Sequence, residues 1–187
     1  RIGRPMNIEF QVEGKPQQRG SKSALVRVFP NRPKSGGLAV PLGSQWVLCR
    51  KTQKGVYPII SMVDTNEKNS KVWMRNIVDV ARSKWTFPPT KLPVVFKLAC
   101  AFQRPKSHYR TGKNSHLLAT KSPEFHTQKP DADKLLRCAL DALTGVVWND
   151  DSQVIETAVS KVWTHDRSWA RFTIGVIDLE DGDEKPF

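Results

Sequence analysis

Apolar and polar positions change period several times along this chain, and each change marks an element. Residues 6–12 (MNIEFQV) put Ile8, Phe10 and Val12 on one side and polar residues on the other, the alternation of a half-buried strand. Residues 14–44 are rich in Gly, Pro, Ser, Lys and Arg with little periodicity. They predict long loops with a short strand at 24–29, and two more short strands are expected at 45–49 and 56–62. From 70 to 85 the period turns helical. Trp73, Ile77, Val80, Ala81 and Lys84 recur at helical spacing, Asn69 or Ser70 is placed to cap, and Pro88 and Pro89 block continuation. The run VVFKLACAF at 94–102 is too apolar and too short for an exposed helix, so it predicts a central strand. A long basic loop over 104–129 follows, then a second helix over 132–143. Segments 153–163 and 169–177 are rich in β-branched and aromatic residues and are expected to form an antiparallel pair joined by THDRS. This order predicts a small α/β (α+β) single domain over residues 6–177, a mixed sheet packed by two main helices. No internal repeat and no linker divides it.

Composition narrows the function. The 187 residues carry a formal net charge of +12 and 39% hydrophobic residues, which fits a folded basic domain. The last ten residues, DLEDGDEKPF, hold five acids and one lysine, so the body is more basic still, and residues 178–187 are expected to form a disordered acidic tail. Clustered Lys and Arg on such a body favour a nucleic-acid partner over a merely soluble surface. No apolar run approaches the length of a membrane helix, and no signal-peptide pattern opens the chain. Met6 is expected to be the natural start, with residues 1–5 an extension. Cys49, Cys100 and Cys138 lie in apolar stretches and read as buried free thiols of a reducing cytoplasm, bacterial or that of a phage-infected host.

One stretch runs against the basic background. KPDADKLLRCALDALTGVVWNDDSQVIE, residues 129–156, holds Asp131, Asp133, Asp141, Asp150 and Asp151. On a helix over 132–143, Leu135, Leu136, Ala139, Leu140, Ala142 and Leu143 share one face, leaving Asp133, Arg137 and Asp141 opposite. Gly145 fits a left-handed C-cap. Pro130 favours an extended Lys129, and Asp131 takes the N-cap position. At that junction Asp131 and Asp133 are able to face one point. Asp150 and Asp151 precede the next strand, in a loop expected to lie beside the helix start. Converging carboxylates of this kind suit Mg²⁺ or Mn²⁺. Taken alone, the spacing equally fits a cap, a first-turn acid, a solvated salt-bridge ladder and a turn.

The segment closely resembles the signature of the RusA family of Holliday junction resolvases, roughly K-P-D-x-D-N-L-x-K followed by D-A-L-x-G-x-x-x-x-D-D-x-Q. Upstream, IEFQVEGKPQQRGSK is similar to that family's opening strand and basic segment, and FQRPKSH to its strand end before the basic loop. The resemblance spans residues 6–177 and is strongest over 129–154. It implies a homodimeric, Mg²⁺-dependent endonuclease, with Mn²⁺ substituting, that resolves four-way or branched DNA by paired symmetric nicks. Asp131, Asp133 and Asp151 would be the metal ligands and essential acids, and Asp150 would assist. Arg137 stands where the family has a lysine, and Lys134 where it has an asparagine. The family lysine and guanidinium differ in geometry, so a weakly active or inactive branched-DNA-binding protein stands as the alternative.

Around this centre, Lys15, Arg19 and Lys22 form one expected phosphate-contacting segment. Lys106, Arg110, Lys113 and Lys129 in the 104–129 loop form another, and Lys134 adds positive charge beside the acids. His108, His116 and His126 are too widely spaced for zinc and read as solvated loop residues. Trp73, Trp148 and Trp163 read as core or interface anchors. No Ser–His–Asp set and no phosphate-cradling glycine loop is present, so neither a nucleotide cofactor nor a membrane partner is expected.

Overall fold

The computed structural model describes residues 7–20, 22–26, 28–34 and 37–178, without the side chains of Lys22 and of residues 62–64. The expected extension at 1–5 and the acidic tail beyond Asp178 lie outside the described residues. The chain divides into two compact units. One combines the N-terminal stretch up to Arg19 with everything from Lys68 onward; the other is Gly20–Glu67.

The larger unit is a four-stranded mixed sheet with two helices. Its strands are β1 (Asn7–Glu13), β8 (Val94–Gln103), β9 (Val154–Thr164) and β10 (Trp169–Val176), in the order β1-β10-β8-β9. β1 and β8 each pair antiparallel with β10, while β8 and β9 run parallel. The expected β9–β10 hairpin is therefore not formed: β8 lies between the two strands. The burial pattern gives the reason. β8 is buried at nearly every second position and on both faces near its C-terminal end, so it requires neighbours on both sides, whereas β9 is mostly exposed and tolerates an edge. A parallel β8–β9 pair needs a long crossover, and helix α2 (Ala132–Leu143) lies within it.

The strand alternations converge on one core. Ile8, Phe10 and Val12 of β1 meet Phe96 and Leu98 of β8 and Phe172 and Ile174 of β10, and Phe10 stacks on Phe172 with centroids 4.8 Å apart. Helix α1 (Glu67–Lys84) adds Trp73, Ile77 and Ala81 at four-residue spacing, and begins three residues before the expected 70–85 helix. α2 adds Leu135, Cys138, Ala139, Ala142 and Leu143. Leu136 and Leu140 are only half-buried and pack against the margin of this core, while Cys138 is buried in it. Fully burying such a side chain contributes about 1.5–3 kcal/mol each. The three cysteines are free and buried, and burial, with the neighbouring Cys138, pushes the Cys100 thiol up to about 12.

The smaller unit replaces the loops expected over 14–44. β2 (Lys22–Val26) pairs with β7 (Ile60–Asp64). β3 (Val28–Phe29), β5 (Gln45–Thr52) and β4 (Leu38–Leu42) form a second sheet, to which β6 (Gly55–Pro58) adds on β5. The strand expected at 24–29 is split between the two sheets. Leu42 pairs with Gln45, so Gly43-Ser44 is a two-residue hairpin, and Gly43 supplies its positive φ of 59°.

Candidate active site

Asp131, Asp133, Lys134 and Arg137 lie within the N-terminal part of α2 and its cap. Asp131 occupies the N-cap position with extended backbone (φ −73°, ψ 142°), after a cis Lys129–Pro130 peptide. Its side chain does not cap the helix; its carboxylate accepts a hydrogen bond from Lys134 Nζ at 2.7 Å instead. That bond holds Asp131 below the usual carboxylate range, and the charges of Lys134, Lys129 and Lys161 add to it. Lys134 is correspondingly raised, first by the Asp131 bond and further by Asp131 and Asp133, against the opposing charge of Arg137. One ammonium thus senses both carboxylates and the guanidinium. Asp133 and Arg137 are exposed, and their side chains make no hydrogen bond among the described residues. The positive end of the helix dipole favours both acids by about 0.3–1 kcal/mol.

Two neighbouring segments brace this end. Lys161 extends from β9 and donates to the carbonyls of Gln128 (2.8 Å) and Pro130 (2.9 Å). Gln18 accepts from the Asp131 backbone N–H at 2.8 Å. The Arg19 N–H donates to the Lys134 carbonyl, and its guanidinium pairs with Asp141 at 2.7 Å. Arg19 is therefore tied to the back of α2, and the expected ladder from Arg137 to Asp141 is replaced by this contact.

The second acid pair lies at the other end of the helix. Asp150 caps a single 3₁₀ turn, Asp151–Gln153: it accepts from the Ser152 N–H at 2.9 Å, and Ser152 lowers its pKa. Gln153 completes a capping box by accepting from the Asn149 and Asp150 N–H groups, and its amide donates to the Thr90 and Leu92 carbonyls. Asp151 Oδ1 accepts from the Thr144 hydroxyl and from Trp148 Nε1, the latter at 3.1 Å. Thr144 is the C-cap of α2, and Gly145 follows with φ 76°. The expected convergence of Asp131, Asp133 and Asp151 is thus not formed within one chain. The 12 residues of α2 separate the pairs, and a helix of that length spans about 18 Å. The reason is topological: the crossover leaves from the end of β8 and delivers the chain to the start of the parallel neighbour β9, so its two ends lie at opposite ends of these strands.

A divalent ion fits this chain only in part. Among the described residues no group of three His, Cys, Asp or Glu side chains is placed to hold a metal. Asp131 and Asp133 suit a Mg²⁺ that takes its other ligands from phosphate and water, which is its usual habit. The full set with Asp151 does not fit a single copy.

The basic residues are dispersed. Lys15 is exposed in a cleft lined also by Glu13, Gly14, Phe102, Gln103, Arg167 and Ser168. Lys22 belongs to β2 of the smaller unit. Lys106, Arg110, Lys113 and Lys129 are exposed. The 104–129 loop is more ordered than expected, with 3₁₀ turns at Lys106–His108 and Gly112–Asn114. Its histidines are a correction. His108 and His126 are buried, packed on Trp163 at 4.8 Å and 4.1 Å, and His126 also lies 4.3 Å from Phe102. Arg104 closes this anchor with hydrogen bonds to Ser122 and the Pro123 carbonyl. Trp73 and Trp148 are core residues as expected.

Sequence reading missed Lys161, Gln18, Thr144 and the indole of Trp148. Lys161 carried a usable signal, because it shares strand parity with the inward-facing Val159 and Trp163. The contacts of Thr144 and Trp148 are tertiary and left no local mark. Among the described residues no helix is long and apolar enough to cross a membrane. A search of curated proteins found no match. Residues 50–175, about two thirds of the chain and the part that holds both acid pairs, match the family model of endodeoxyribonuclease RusA, and the chain belongs to that family.

Proposed function

We propose that this protein is a Mg²⁺-dependent, structure-specific endodeoxyribonuclease that works as a homodimer on four-way or branched DNA and cuts by paired symmetric nicks. The observation that carries the reading is the cluster at the start of α2: Asp131, Asp133, Lys134 and Arg137 on one helix end, with Lys129 and Lys161 beside them. A pure DNA binder gains nothing by turning carboxylates toward phosphate. Family membership supports the nuclease class.

Asp131 and Asp133 hold the ion, ionised at neutral pH in the case of Asp131 because Lys134 stabilises its charged form. When bound, Mg²⁺ neutralises charge on the phosphate and supplies a water of lowered pKa; Mn²⁺ has the same preference for oxygen. Arg137 offers a fork of donors to the scissile phosphate. Lys15, Lys106, Arg110, Lys113 and Lys129 engage flanking phosphates, which sets affinity and position but not sequence choice. A twofold dimer presents two such sites to a twofold junction.

The direct test is a labelled synthetic four-way junction and a linear duplex of the same sequence, incubated with Mg²⁺ or with EDTA. Cleavage of the junction in Mg²⁺ alone is expected. Binding of the junction without cleavage at any Mg²⁺ or Mn²⁺ concentration would overturn the reading.

A second reading is favoured by one contact. The 2.7 Å Lys134–Asp131 bond occupies a carboxylate proposed as a ligand, and it exists because a lysine stands where the family has asparagine. A weakly cutting branched-DNA binder follows if that bond persists on DNA. Lys134→Asn then raises the cleavage rate several-fold, whereas an unchanged or lower rate leaves Lys134 a phosphate contact.

A further inference from the structure

The smaller unit, Gly20–Glu67, has a charge pattern of its own. From Gly14 to Val63 the sequence contains no Asp or Glu, while Arg32, Lys34, Arg50, Lys51 and Lys54 are exposed. Most of the unit also lies before residue 50, where the family match begins. The nuclease reading gives it no task.

Strand register gathers its aromatic rings on one face. Residues directly opposite in an antiparallel pair share a face, and so do alternate residues of one strand. Trp46, Leu48 and Arg50 alternate along β5. Trp46 is opposite Phe29 of β3 and Pro41 of β4, and Arg50 is opposite Tyr57 of β6. Phe29, Trp46, Arg50 and Tyr57 therefore stand on one side of the sheet. Val47 and Cys49, the buried hydrophobics among those described, belong to the other side. Tyr57 is 50% exposed, and its hydroxyl donates to the Lys54 carbonyl at 3.3 Å, which tethers the ring. Arg32 lies over Trp46, its guanidinium carbon 5.6 Å from the ring centroid, so a planar cation already covers the indole.

Rings interleaved with arginines on an acid-free surface suit a ligand with flat apolar faces and regular negative charge. An unpaired DNA strand has both, whereas a duplex keeps its base faces inside the stack. A second copy of this chain would set the same arginines against one another.

We propose that this face of the smaller unit is a single-strand-binding site, with Tyr57 and Trp46 stacking on bases and Arg32 and Arg50 pairing with phosphates. It goes beyond the nuclease reading and does not rest on it, since holding a strand requires no cut. Joined to that reading, it favours branched DNA with an unpaired arm.

Fluorescence anisotropy tests this. A short labelled oligothymidylate is titrated with the full chain in EDTA, and a labelled duplex of the same length alongside. Tyr57→Ala is expected to weaken single-strand binding about tenfold, the loss of one stacked base, and to leave duplex binding unchanged. Tyr57→Phe keeps the ring and should bind like the wild type. Arg50→Gln should flatten the single-strand salt dependence by about 0.7 in slope, one phosphate contact. Wild-type single-strand affinity in Tyr57→Ala overturns the proposal. So does an equal loss on strand and duplex, or a Tyr57→Phe that binds as poorly as Tyr57→Ala. A wild type that ignores the oligonucleotide but self-associates, with Tyr57→Ala monomeric, overturns it in favour of a second copy. If the wild type cuts no DNA yet shows the Tyr57-dependent strand binding, the nuclease reading fails while the single-strand site stands.

Discussion

The two ends of α2 carry the same chemical group in opposite settings. At the start, Asp131 is bonded to a lysine, the cations of Lys129 and Lys161 act on it, and Asp133 and Arg137 stand exposed. At the finish, Asp150 and Asp151 are fixed by a backbone N–H, a hydroxyl and an indole. The first pair is compensated in charge and loosely placed; the second is firmly placed and uncompensated. Pre-positioned acids that lack a counter-charge are half of a cation site, and acids beside lysines and an arginine are half of a phosphate site. In the proposed nuclease the two pairs serve one function although α2 keeps them apart.

The largest expected effect comes from removing the charge at either end. Asp131→Asn, Asp133→Asn and Asp151→Asn should each abolish junction cleavage while binding holds or strengthens, since each removes a ligand and a charge that repels phosphate. Asp150→Asn should be milder, because Asp150 already serves as a turn cap. Cleavage assays with gel-shift titrations on the same preparations decide it. Full activity in Asp151→Asn alone would confine the chemistry to the start of the helix.

Arg137 sharpens the phosphate half. It is exposed and has no hydrogen-bond partner among the described residues, so Arg137→Ala should change Tm little, by about 0.5 kcal/mol or less in stability. As a transition-state charge partner its loss should slow single-turnover cleavage about 10²-fold or more. Arg137→Lys should recover part of the rate. A wild-type rate in Arg137→Ala would make it a plain surface residue.

Neutralising Lys106, Arg110 and Lys113 together should weaken binding to all DNA alike. The salt dependence should flatten by about 0.9 in slope per lost phosphate contact. An unchanged slope would show that the loop faces away from DNA.

The smallest effect concerns the anchor of that loop. Burial lowers the His126 pKa from its ordinary 6.5, with Lys161 and His108 acting in the same direction and backbone hydrogen bonds opposing. The folded form therefore favours neutral His126. Its contribution is fully present above pH 6.5 and is lost as pH falls through the lower folded value, because the unfolded chain takes up the proton first. Hydrogen exchange over residues 104–129, corrected for intrinsic rates, should accelerate several-fold between about pH 7.5 and pH 5.5. His126→Phe should remove that acceleration. A pH-independent rate in the wild type would place the anchor elsewhere.

Much of this was legible in the chain. The clean alternation of β1, the apolar run of β8 and the amphipathic period of α2 announced themselves, because each buries one face against the common core. The acids at 131–133 and 150–151 stood out against a basic background. What the pattern did not carry was which end of the crossover each acid pair occupies. The same local sequence fits a β9–β10 hairpin or a β9 that pairs in parallel with β8, and only the two-sided demand of β8 decides between them. His108 and His126 looked solvated because their burial comes from Trp163 and Phe102, distant in sequence. Within Gly20–Glu67 the short strands expected at 24–29, 45–49 and 56–62 are found, but their pairing and the strand at Leu38–Leu42 left no mark, because few apolar residues there are buried; Val47 and Cys49 are the buried hydrophobics among those described.

The central claim is that acids at both ends of α2 act together on branched DNA through a divalent ion. The most direct measurement is strand-resolved mapping of the nicks made by the wild-type protein on a four-way junction, each strand labelled in turn, with millimolar Mg²⁺ and with EDTA. The account predicts two cuts on opposite strands, placed symmetrically about the branch point, and none in EDTA. Equal cutting in EDTA, or stable junction binding with no cut on any strand in Mg²⁺ or Mn²⁺, would contradict it.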